Sequence, residues 1–76
     1  MLARVVDALR AHVTANSGCA DTERGISEAW LASFRPTPEP ALIRTALRIL
    51  EWEGVVRRER SPDGATLWRS NLPDNS

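Results

Sequence analysis

The chain has 76 residues, 42% hydrophobic and 26% charged, which is the composition of a soluble globular domain. So short a chain excludes two independently folded domains, and its single core leaves only about 3–5 kcal/mol of net stability, which favours support from a second copy. Ten arginines, with no lysine, balance ten acids, so no overall field draws the chain to nucleic acid or acidic lipid, and any such binding must come from local arrangement.

Cys19 is the single cysteine and has no partner for an intramolecular disulfide, which points to a reducing, cytoplasmic setting. The longest apolar run, residues 29–32, is far short of the roughly 20 residues that cross a bilayer, and no segment resembles a signal peptide, so no membrane partner is expected.

Leu2, Val5, Val6, Leu9 and Val13 follow the i, i+3, i+4, i+7 spacing of an amphipathic helix over residues 2–15, with Arg4, Asp7 and Arg10 on its other face. Asn16, Ser17 and Gly18 end that pattern. Ser27 is placed to accept the free amide hydrogens of a second helix over residues 27–34, and the prolines at 36, 38 and 40 stop it. A third helix starts between Thr37, a candidate cap, and Ala41. Over residues 41–53, Ile43, Ala46, Leu47 and Leu50 form the buried stripe, flanked by Leu42 and Ile49. Arg44, Thr45, Arg48, Glu51 and Trp52 lie along the opposite stripe. Gly54 supplies the cap, Val55 to Arg60 read as a strand, residues 61–64 spell a Ser-Pro-Asp-Gly turn, and residues 65–69 read as the returning strand. The polar tail, residues 71–76, has little to bury and is expected to fray.

This order of helix, loop, short helix, proline-marked turn, amphipathic helix, glycine and arginine-rich hairpin resembles the winged helix-turn-helix DNA-binding domains. The resemblance covers residues 26–69, and its specific part is Ala46, Leu47, Leu50, Glu51, Gly54, Val55, Val56 and Arg58. They resemble the end of that family's recognition helix and the start of its wing. It implies a small α+β fold over residues 1–70, with three helices followed by a two-stranded β-hairpin wing whose tip is residues 62–64. It also implies a short first strand at residues 23–26 that pairs with the wing. The turn at residues 36–40 departs from the family, many members of which begin the recognition helix without multiple prolines.

The resemblance implies sequence-specific binding of double-stranded DNA by a small transcriptional regulator, with the third helix in the major groove and the wing on the phosphate backbone. The residues expected to carry it are Arg44, Thr45 and Arg48 on the helix and Arg58, Arg60 and Arg69 on the hairpin. Arg48 has Glu51 three residues on as a partner, whereas Arg44 has no acid within helical reach. The hairpin arginines have a second explanation, since charge on an exposed strand discourages edge-to-edge pairing. The tryptophans read as core or interface groups; Trp52, on the polar stripe, could cap the wing, stack on Arg48 or meet another protein. His12 and Cys19 are too few for a zinc site, and no phosphate loop or catalytic constellation is present, so neither a cofactor nor an enzyme is expected. A homodimer on a palindromic site follows from the few phosphate contacts one neutral module offers. The alternative is a protein-interaction module on the same scaffold.

Overall fold

The apolar stripe of residues 2–15 forms helix α1 (Leu2–Ala15) and buries Val5, Val6, Leu9 and Val13. The next residues form the short strand β1 (Ala20–Asp21) and helix α2 (Glu23–Gly25), which widens into a π-helical segment over Ile26–Trp30. Helix α3 (Pro40–Trp52) is followed by strands β2 (Val56–Arg60) and β3 (Thr66–Ser70). The computed structural model describes residues 1–72 and gives a small α+β fold: three helices and one antiparallel sheet of order β1-β3-β2. Among the described residues, no helix is long and apolar enough to cross a membrane.

One core serves both layers. Val5, Leu9 and Val13 of α1, Ile26 and Leu31, Ile43, Ala46, Leu47 and Leu50 of α3, and Val55, Val56 and Trp68 of the hairpin region are all buried. Arg10 joins the two long helices at the surface, with Nη2 2.6 Å from Glu53 Oε1. The His12 and Trp30 rings stack with centroids 4.7 Å apart.

Helix α3 closes in the geometry that positions the hairpin. Gly54 takes φ +81°, its N–H donates to Glu51 O, and the Val55 N–H donates to Leu50 O at 2.8 Å. This pairing of a left-handed glycine with two orphan helix carbonyls sends the chain directly into β2. At the far end of β2, the Gly64 N–H donates to Ser61 O and the Ser61 N–H to Ala65 O, closing the expected turn, with Gly64 at φ +90°.

Three local expectations change. Residues 23–26 are helical, and the strand that joins the hairpin is β1, displaced toward the N-terminus and paired as Ala20 with Arg69 and Asp21 with Trp68. The second helix begins at Thr22 because its Oγ1 accepts the Gly25 N–H, while the Asp21 carboxylate accepts the Thr22 N–H. It ends at Leu31, whose N–H reaches back to Ile26 O, so Ser27 lies inside the helical segment and does not cap it. Helix α3 starts at Pro40 with Glu39 as its N-terminal boundary and no side-chain cap, so Thr37 does not serve. The chain beyond the sheet is tied at Asn71, whose N–H donates to Val55 O; residues 73–76 of the expected frayed tail lie outside the described residues.

Candidate nucleic-acid interface

Alternation along β2 separates the hairpin arginines onto two faces. Val56, Arg58 and Arg60 share the face that carries the buried Trp68, with Arg58 opposite Trp68 and Arg60 opposite Thr66. Arg57 and Glu59 share the outer face, with Arg57 opposite Arg69. Of the three hairpin residues expected at the site, Arg58 and Arg60 are therefore together and Arg69 is on the other side of the sheet.

Helix α3 and the inner face of β2 meet at an ion pair. Arg58 Nε lies 2.8 Å from Glu51 Oε2, and the guanidinium stacks 5.6 Å from the Trp68 ring centroid. Glu51 follows Arg48 by three residues, and Arg60 follows Arg58 by two on one strand face, so Arg48, Glu51, Arg58 and Arg60 form a continuous string from helix to hairpin. Arg44 extends it one turn back along α3. Thr45 is exposed on the same helix, and its hydroxyl donates to Ala41 O at 2.9 Å.

The arginines differ sharply in how they are held. Arg44 Nε is 3.2 Å from Glu23 Oε1, a partner 21 residues away and far beyond one helix turn. Arg48 does not take Glu51, whose Oε2 receives Arg58. On the outer face, Glu59 receives Arg69 at 2.7 Å and Arg57 at 2.9 Å. Their charges hold the Glu59 carboxyl below its ordinary range, the hydrogen bond from Arg69 being the largest cause.

Elsewhere Arg10 pairs with Asp7 and Glu53, Arg24 with Glu28, Arg35 with backbone carbonyls, and Arg4 lies over Phe34. Among the described residues, eight of the ten arginines are thus engaged. The guanidiniums of Arg48 and Arg60 take no hydrogen bond, ion pair or ring contact there, and both are exposed in the string between α3 and the hairpin.

Trp52 stands on the same helix one turn after Arg48 and is 89% exposed, with no ring or cation partner among the described residues. It neither caps the hairpin nor stacks on Arg48. Trp68 belongs to the core, and Trp30 packs against it while stacking on His12. Burial pushes the Cys19 thiol up, so that thiol is held neutral.

Compared with protein-family models, curated proteins and solved structures, the chain matches none.

Proposed function

We propose that this chain is a winged helix-turn-helix module that binds double-stranded DNA, with α3 in the major groove and the inner face of the β2–β3 hairpin along the backbone. The observation that carries the reading is that the two guanidiniums unengaged among the described residues, Arg48 and Arg60, fall on the surface where α3 and the hairpin adjoin. The element order and the pairing of a short first strand with the hairpin support the winged-helix assignment.

An arginine without a carboxylate presents its full donor fork to a guanine edge or a phosphate. Arg48, at the middle of α3, is the base-reading candidate, and Arg60, next to the hairpin tip, is the phosphate contact. Thr45 adds a short side chain beside Arg48, with its hydroxyl turned back to the helix. Arg44 and Arg58 contribute once they exchange their carboxylate partners for phosphate. Arg69 is a structural residue of the outer face in this reading.

Two arginines unengaged among the described residues give weak binding at physiological salt, because affinity follows the number of neutralised phosphates. A homodimer that sets two α3 helices on a palindrome doubles that number. The interface between copies is drawn from the chain ends, where Met1 and Leu72 are exposed, since the apolar stripe of α1 is consumed by the core. Sedimentation at micromolar concentration then gives twice the chain mass, and a tight-binding monomer contradicts it.

A protein-interaction module is the second reading, favoured by the exposed Trp52 and by Glu23 and Glu51 standing among the arginines. Anisotropy with a labelled pool of mixed-sequence duplexes at low and moderate salt, about 50 and 200 mM, separates the two. Duplex binding that weakens with salt supports the DNA reading, and no binding at the lower salt leaves the protein partner.

A further inference from the structure

We infer that Glu23 and Glu51 are built-in restraints on sequence-independent DNA binding, each standing where a phosphate would stand against Arg44 and Arg58. The inference rests on the DNA reading above and assigns a role within it to two acids.

Both acids meet their arginines from outside the local helix spacing. Glu23 comes from α2 and meets Arg44 Nε through Oε1 at 3.2 Å and Oε2 at 3.4 Å. Glu51 sits between Arg48 and the hairpin on α3 and meets Arg58 at 2.8 Å across the junction between helix and sheet. All four side chains are partly exposed, so the pairs lie open to solvent and are not sealed into the core. Exposed pairs of this kind contribute little to stability, and the core does not depend on them.

Their electrostatic consequence is larger. Sequence-independent affinity rises with each phosphate an arginine neutralises, through the counterions released. An arginine paired through Nε is already neutralised, and a phosphate that displaces the carboxylate or joins it on the Nη groups meets the like charge of that acid. Two of the four arginines along the string are thereby silenced toward an arbitrary duplex. Arg48 and Arg60 stay available. The arrangement lowers the affinity for every duplex alike while leaving Arg48 and Arg60 available, so it restrains total binding and does not change the preference between sequences.

Glutamine at either position keeps a carbonyl acceptor for the arginine and removes only the charge. Glu23→Gln and Glu51→Gln are therefore measured by anisotropy on a labelled random-sequence duplex of about 20 base pairs across the same salt range, with circular dichroism melts as the folding control. Each is expected to bind about three- to tenfold more tightly at the lower salt, with a salt slope steeper by about one unit because one more phosphate is neutralised. Adding Arg58→Ala to Glu51→Gln abolishes that tightening. Asp7→Asn, which deletes an acid paired with Arg10 on α1, leaves binding unchanged. If wild type binds the duplex and the glutamine variants bind no more tightly, or Asp7→Asn tightens it equally, the restraint is overturned while the DNA reading stands. Failure of wild type and both variants to bind at all overturns the two together. Binding by the variants alone overturns both for the natural chain, because wild type then fails the duplex test at the lower salt.

Discussion

The two faces of the hairpin carry the same residue type to opposite ends. On the outer face, Arg57 and Arg69 sit directly across from each other, and Glu59 bridges them at 2.9 and 2.7 Å. On the inner face, Arg58 leans on Trp68 and pairs with Glu51 of α3, and Arg60 has no partner among the described residues. The outer group is a charge network closed on itself across the two strands. The inner group is continuous with the exposed stripe of a helix. The number of arginines therefore does not locate a site; what locates it is which guanidinium a carboxylate can reach.

The largest test of that division acts on the platform beneath the inner face. Leu47 is fully buried in α3, and Leu47→Ala is expected to cost about 2–5 kcal/mol, comparable with the stability of so small a domain. Chemical denaturation measures it, and a loss below about 1 kcal/mol would mean that α3 does not carry the core. Gly54→Ala acts at the joint between α3 and β2. The φ of +81° there makes any side chain costly by about 1–2 kcal/mol, although nothing lies near enough to clash with the added methyl. The same denaturation should show the smaller loss, and an unchanged stability would mean that the left-handed joint does not constrain the chain.

The smallest effect isolates the outer face. Glu59 titrates below its ordinary value in the folded chain, so its pairs stabilise the fold above the unfolded carboxylate value. That contribution is lost as pH falls through the lowered value of Glu59. Wild type should therefore melt above Glu59→Gln at neutral pH, with the gap closing as pH falls below the ordinary glutamate range. A gap that persists in strong acid would show that the carboxylate charge is not its source.

Periodicity and turn chemistry make α1, α3 and the hairpin legible in the sequence. Ile43, Ala46, Leu47 and Leu50 keep helical spacing, Gly54 ends the run, and Pro-Asp-Gly marks the tip. The segment between α1 and α3 is not legible in detail. Strand β1 has two residues, too few to show alternation, and its pairing to β3 is made by backbone. Thr22 and Ser27 are both hydroxyl residues followed by an acid, and sequence offers no reason to prefer Thr22. In the fold the choice rests on Gly25, which packs so closely on the Asp21 carboxylate that a methyl group there would overlap it.

The candidate site divides in the same way. The helical repeat places Arg44, Thr45 and Arg48, and alternation places Arg58 and Arg60. Composition alone groups Arg69 with them, and strand register sends it to the other face. The pairing of Arg44 with Glu23 spans 21 residues, beyond any local rule. Local spacing also points Arg48 to Glu51, three residues on, while the fold offers Glu51 a closer partner in β2.

Duplex binding across a salt series, with one arginine removed at a time, tests the division between faces most directly. Arg48→Ala is expected to cost about 1–3 kcal/mol and to relax sequence preference, as loss of a base contact does. Arg60→Ala should weaken all duplexes alike and lower the salt slope by about one unit. Arg57→Ala and Arg69→Ala should bind as wild type does. Equal losses from all four, or losses confined to Arg57 and Arg69, would contradict the claim that the inner face of the hairpin and α3 form the DNA surface.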